Sequence, residues 1–184
     1  GEYMEIVEAK ISDLDFFFEY LGVHLLENAS DHSPLSQPIP KDHCKVSEQL
    51  RAKFRDGFGV SIGKPSWRKL WLAKDSKSHI LGHIDLRHYS GEYNFHRVLL
   101  GMGVKNNARK QGLGVKLLES AFRFCQETDS IDWLDLNVLS NNIPAKSVYL
   151  RCGFKIIDET SDFYRIDGES VSETTMTLCT KNHV

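Results

Sequence analysis

No apolar run in the chain approaches the roughly 20 residues needed to cross a bilayer, which excludes a membrane-spanning helix. Cysteine is sparse. Cys44, Cys125, Cys152 and Cys179 form no Cys-x-x-Cys pair, so neither a zinc ribbon nor a thioredoxin-type centre is encoded. A chain of 184 residues buries enough core without disulfides and reads as a reduced, cytoplasmic protein. Its first residues, Glu2-Tyr3-Met4-Glu5, are acidic where a secretory signal would be basic and then apolar. An excess of basic charge is missing too. The 23 Lys and Arg against 25 Asp and Glu give a net charge of −2, which excludes a strongly basic nucleic-acid-binding surface.

What remains, 41% hydrophobic and 26% charged, is the composition of a folded globule, and the length fits one domain over residues 1–184. The charge is unevenly spread. Residues 1–32 carry eight acids and only Lys10 as a base, whereas residues 97–124 carry six bases and only Glu119 as an acid. A basic island in an acidic protein points to a localised anionic ligand or to a solvated helix face, and charge alone does not choose between them.

Alternation predicts a strand over 4–11, and Ser12 with Asp15 predicts a helix start followed by the stripe Leu14, Phe17, Phe18, Leu21 and Leu25. Residues 28–43, with Pro34, Pro38 and Pro40, form a loop. A second helix is expected over 44–55, then strands over 67–74 and 79–87. In the latter, Ile80, Ile84 and Leu86 make an apolar face and His79, His83, Asp85 and Arg87 a polar one. Further elements are a strand over 97–104, a helix over 112–127 burying Leu117, Leu118, Ala121, Phe122 and Cys125, and a strand over 133–139. A helix over 143–152 stopped by Gly153 and closing strands near 154–157, 162–167 and 174–180 complete the chain, with a turn at Asp167-Gly168. The order β-α-α-β-β-β-α-β-α-β-β implies a mixed α/β (α+β) fold with a largely antiparallel central sheet flanked by helices.

The segment that carries chemistry is Val104-Lys105-Asn106-Asn107-Ala108-Arg109-Lys110-Gln111-Gly112-Leu113-Gly114-Val115. A strand enters a basic, glycine-punctuated turn that opens a helix. Glycines allow backbone N–H groups to approach an anion, and the helix N-terminus adds unpaired donors and a positive dipole end. With Arg109 and Lys110 at the same end, a diphosphate is the natural guest. A Walker loop needs Gly-Lys-Ser/Thr, but Gly114 is followed by Val115 and Lys116; a dinucleotide fingerprint begun at Gly101 would need glycine where Asn106 stands.

Arg109-x-x-Gly112-x-Gly114 after this strand resembles the acetyl-CoA pyrophosphate loop of the GNAT superfamily of N-acetyltransferases. A second match, Asn142-x-x-Ala145-x-x-x-Tyr149-x-x-x-Gly153-Phe154, lies about thirty residues on, in family order. The resemblance covers roughly residues 78–180. It implies a GNAT-like fold and acetyl-CoA as co-substrate, held by Met102, Gly103, Val104, Arg109, Lys110, Gln111, Gly112, Leu113, Gly114, Val115 and Asn142, with no metal. It also implies that Tyr149 directs its hydroxyl at the cofactor sulfur as the catalytic acid, and that the strand around 101–104 splays from its neighbour, where paired glycines would suit a bulge. Ala145, Val148, Tyr149 and Cys152 fall at helical spacing, so a core-aromatic role for Tyr149 also stands.

The chemistry expected is direct attack of a primary amine of a small molecule or peptide on the thioester, with a backbone N–H near Met102 or Gly103 facing the oxyanion. No covalent intermediate is needed, so Cys125 and Cys152 read as buried small hydrophobes. The strand over 97–104 lacks an acid; Asp85, His83, Glu92 or a relaying water are the candidates for general base, and His79, His83 and Asp85 alone do not complete a metal site. The tail, Phe163 to Leu178, is similar to that of GNAT enzymes acting on small amines, including amino-acid acetyltransferases, a pattern shared with protein N-terminal acetyltransferases. The loop over 28–43, with Glu27, Asp31, His32 and Asp42, would form an acceptor rim suited to a cationic amine. Alternatives are a protein N-terminal or lysine acetyltransferase, or a non-catalytic acyl-CoA-binding module of the same fold. A homodimer is compatible with this reading; a nucleic acid or membrane partner is not expected.

Overall fold

The computed structural model describes residues 3–28, 38–43, 45–108 and 112–181. Seven strands form one sheet in the order β1-β2-β3-β4-β5-β7-β6: β1 (Met4–Glu8), β2 (Arg68–Asp75), β3 (Ile80–Arg87), β4 (Arg97–Val104), β5 (Trp133–Leu139), β6 (Lys155–Ile166) and β7 (Glu169–Cys179). Every neighbouring pair is antiparallel except β4 and β5. Four helices accompany it: α1 (Leu14–Asn28), α2 (Glu48–Gly57), α3 (Leu113–Glu127) and α4 (Ile143–Arg151). The element order and the mixed, largely antiparallel sheet match the sequence expectation, and no described helix is long and apolar enough to cross a membrane.

The starts and stops follow local chemistry. A 3-10 turn over Ile11–Asp13 precedes α1, and the Asp13 carboxylate accepts the Lys10 N–H at 2.8 Å. The capping acid is therefore Asp13, not Asp15, because the chain enters the helix one turn early. Ser47 caps α2 by accepting the Leu50 N–H at 3.1 Å, so this helix begins later than expected. Gly153, at φ +96°, ends α4 in the left-handed region. At the close of the chain, 154–157 and 162–167 join into the one long strand β6.

Two cores sandwich the sheet. On one face, Ile84, Leu86, Val98, Leu100, Leu134 and Leu136 pack with Leu117, Leu118, Ala121 and Cys125 of α3 and Tyr149 of α4. Gly82 brings α3 close: a Cβ there would meet Leu117 Cδ1 at 3.2 Å. On the other face, Phe17, Phe18 and Leu21 of α1 and Phe54 of α2 cover Leu70, Leu72 and Ile80. Ile80 thus does not share a face with Ile84 and Leu86. Lys74 pairs with Ile80 but Ala73 with Gly82, and that bulge moves Ile80 across the sheet.

Candidate active site

The feature that organises the site is a parting of strands. Parallel pairing between β4 and β5 runs only through Arg97↔Trp133, Val98↔Leu134 and Leu99↔Asp135. The orientation of the β4 backbone beyond that point follows from two hydrogen bonds. Lys105 donates its N–H to Leu81 on the β3 side, while Trp133 donates to the His96 carbonyl on the β5 side. Since amides alternate along a strand, Met102 and Val104 present their backbone groups to the opening, and Gly101 and Gly103 present theirs to β3. Of the two residues expected to face an oxyanion, Met102 is the one whose N–H points into the gap.

Three pieces of the sequence motifs meet here. A Cβ on Gly114, in the first turn of α3, would stand 3.5 Å from Met102 Cε and 3.8 Å from Val148 Cγ1, so α3, β4 and α4 converge on this glycine. Gly112 is the N-cap of α3 at φ +71°, a conformation L side chains rarely adopt, and its exposed Cα has open space around it. Leu113 is buried, Val115 and Val104 are half-buried. Arg109, Lys110, Gln111 and most of the proline-containing loop, residues 29–37, lie outside the described residues. Asn142 caps α4, its amide oxygen accepting the Ala145 N–H at 3.4 Å, a structural duty its place in the motif did not reveal. Tyr149 is buried in the α3–α4 core with its ring edge-on to Phe154 at 5.7 Å between centroids. Burial, and secondarily Cys152, pushes its phenol well above the usual value, so the hydroxyl keeps its proton at neutral pH.

The glycines of β4 do not mark a bulge. Register between β3 and β4 is unbroken from Arg87↔Leu99 to Gly82↔Val104. They make room on the α1 face instead: a Cβ on Gly101 would lie 2.7 Å from Asp85 Oδ1, and one on Gly103 2.6 Å from His24 Nε2 and 2.8 Å from His83 Cε1. That face holds the polar residues of β3, buried rather than solvated. His83 Nδ1 lies 2.9 Å from the Tyr20 hydroxyl, which donates to the Gly103 carbonyl at 3.2 Å. Burial, aided by nearby His24, pushes the His83 pKa down to about 3, so it is neutral at physiological pH. Asp85 is engaged by Arg68 and Arg87. Glu92 is exposed in the β3–β4 loop, and His79 pairs with Asp75 at the surface, so the structure does not gather His79, His83 and Asp85. Among the described residues no His, Cys, Asp or Glu cluster suits a metal. Cys125 is a buried small hydrophobe whose thiol pKa burial pushes up to about 12.

Sequence reasoning missed the network at the closed end of the parting. Asp135 of β5 accepts two hydrogen bonds from Arg97, at 2.7 Å each, one from Tyr89 at 2.8 Å and one from Thr177 at 2.6 Å. Burial alone would raise its pKa, but these donors hold it below the usual range. The signal available in sequence was an acid at an inward strand position, which has no solvent to face.

A mixed sheet whose central strands part beside a glycine-capped helix defines an acyl-CoA-type transferase fold. The chain belongs to the GNAT superfamily of acetyltransferases: residues 66–156 match the family's acetyltransferase (GNAT) domain. Its fold is similar to that of an acetyltransferase of the GNAT family from Streptococcus pneumoniae (TM-score 0.79, 21% identity, covering 96% of this chain and 99% of that one). It also resembles a GNAT superfamily phosphinothricin acetyltransferase from Sinorhizobium meliloti in complex with acetyl-CoA (0.77, 13%, 96% and 88%). A Salmonella typhimurium protein solved with its cofactor acetyl-CoA is similar as well (0.74, 17%, 99% and 96%). No curated protein matches the chain in sequence.

Proposed function

We propose that the protein is an acetyl-CoA-dependent N-acetyltransferase that acylates a primary amine of a small molecule or peptide within a ternary complex. The observation that carries this reading is the parting of β4 and β5 after Leu99, with the Met102 amide turned into the gap next to the start of α3. The residues fit such a co-substrate: Gly114 leaves room between Met102 and Val148, the α3 N-terminus offers first-turn N–H groups to an anion, and Arg109 and Lys110 precede it in sequence. Acetyl-CoA, when bound, supplies the acyl group as a thioester.

The chain's own groups divide the work. The Met102 N–H faces the place where negative charge develops on the acyl oxygen. Tyr149, protonated by burial, donates to the departing sulfur. The acceptor approaches from the α1 side of β4, where Asp85, His83 and Tyr20 lie. Asp85 is held by two guanidinium groups and His83 is a weak base, so the amine loses its proton through water rather than to either side chain. Neighbours named for phosphinothricin and spermidine acetylation support a small amine as acceptor. Free-thiol release from acetyl-CoA across a panel of amines, amino acids and peptides tests the reading. Thiol released in proportion to acetylated amine supports it, and acetyl-CoA binding without turnover on any acceptor overturns it in favour of a non-catalytic module.

A further inference from the structure

Two arginines converge on one carboxylate beside the opening. Arg68 of β2 and Arg87 of β3 are register partners, so both side chains stand on the α1 face. Arg68 Nη1 lies 3.4 Å and Arg87 Nη1 3.2 Å from the same oxygen, Asp85 Oδ2. The Arg68 guanidinium carbon also lies over the Phe54 ring, 4.5 Å from its centroid. Asp85 is almost fully buried, the Arg68 side chain is 11% exposed and that of Arg87 33%.

The cluster carries one surplus positive charge. A single carboxylate compensates one of two guanidinium groups drawn partly out of water, and each guanidinium uses one of its five N–H donors in a described hydrogen bond. Burial lowers the Arg68 pKa, the Asp85 carboxylate opposes that shift and the Arg87 guanidinium adds to it. Remaining donors, a planar fork on each side chain and a partial desolvation are together suited to a carboxylate.

Its position names the ligand. Asp85 faces Gly101 and Arg87 faces Leu99 across the β3–β4 ladder. A Cβ on Gly101 would lie 3.3 Å from Arg87 Nη1, so the missing side chain lets the guanidinium lie against β4. Gly101 is one strand step, about 3.3 Å, from Met102. An anion on these arginines would therefore stand on the acceptor face, within a residue or two of the amide that faces the reacting centre.

We propose that Arg68 and Arg87 bind the carboxylate of the acceptor, so that the acceptors are α-amino acids or compounds with the same amine–carboxylate spacing. This rests on the transferase reading above and narrows it: the recognised group is the zwitterion, not a bare alkylamine. Asp85 holds both guanidinium groups through its Oδ2.

The test compares ligands that differ only in that charge. In thiol release, L-methionine and L-phenylalanine are set against their C-terminal amides. In calorimetry with the protein saturated with CoA, the N-acetyl amino acids are set against the N-acetyl amino-acid amides, an arm that needs no turnover and no amine. Charge-assisted bidentate contacts predict a preference for the acid of about 10- to 100-fold in both arms. Arg87→Gln should bring the ratio to within about threefold of unity, and Arg87→Lys should retain part of it; an unchanged thermal midpoint shows that each variant is folded. Amides that bind as well as acids, or a preference that survives in Arg87→Gln, overturn the proposal. Binding preference without thiol release leaves the carboxylate site standing and overturns the transferase reading instead.

Discussion

Arg97 and Asp135 meet across the parallel pair β4–β5 through two N–H···O bonds of 2.7 Å, at the last step before the strands part. The parting of β4 and β5 is thus bolted at its closed end by a buried carboxylate and a fork-shaped cation. Asp135→Asn keeps the shape but leaves the guanidinium facing a neutral amide. Breaking such a pair costs about 3 kcal/mol, the low end of the usual range because Arg97 is partly exposed. Urea unfolding of the single variants and of Arg97→Gln/Asp135→Asn checks this: the double variant should lose clearly less than the sum, and strict additivity contradicts the bolt.

Gly114 separates cofactor binding from folding. Because its Cβ would meet Met102 Cε only at ordinary contact distance, Gly114→Ala should leave the thermal midpoint unchanged or slightly raised. On the proposed function the added methyl would intrude on the co-substrate, so stabilisation by acetyl-CoA should fall at least several-fold in apparent affinity. Gly112 is a poorer probe: at φ +71° any side chain adds backbone strain of about 1 kcal/mol, mixing the two effects. Wild-type acetyl-CoA affinity in Gly114→Ala would move the co-substrate away from α3.

How much was legible follows from whether the cause was local. Capping residues, the left-handed Gly153 and strand alternation lie within a few residues of what they control, so the element order could be read directly. Ile80 was misplaced because the bulge depends on how β2 pairs with β3, which alternation within β3 does not contain. The face carrying His83 and Asp85 reads as polar in sequence, yet Tyr20, 63 residues away, and Arg68 supply its partners within the fold. The glycines at 101 and 103 were likewise set by side chains arriving from other elements, Asp85, His24 and His83.

Burial of neutral His83 makes stability depend on pH. Its folded pKa is about 3 against an ordinary 6.5, so the unfolded chain binds the extra proton between those values and stability falls as pH drops below 6.5. At pH 5 this amounts to about 2 kcal/mol. Burial lowers the pKa of His88 too, which acts in the same direction. Unfolding of wild type and His83→Leu at pH 7.5 and 5.0 should show a much smaller acid loss in the variant; equal losses would contradict the assignment.

Tyr149→Phe keeps the ring packed on Phe154 and removes only the donor. General-acid catalysis contributes about 10²–10⁴-fold, so kcat should drop in that range with acetyl-CoA affinity and stability nearly unchanged. Near-wild-type kcat, with chemistry shown to limit the rate, would make Tyr149 a core aromatic alone.

The opening at Met102 is reported most directly by its amide. Gly101 and Gly103 point their N–H groups at β3 and should be protected from hydrogen exchange with or without ligand, whereas Met102, lacking a ladder partner on β5, should exchange faster in the free protein. Residue-resolved amide exchange by NMR, with and without saturating acetyl-CoA, should show the Met102 amide slowing at least tenfold while Gly101 and Gly103 stay as they were. An unchanged Met102 amide at saturation would contradict co-substrate binding between β4 and β5.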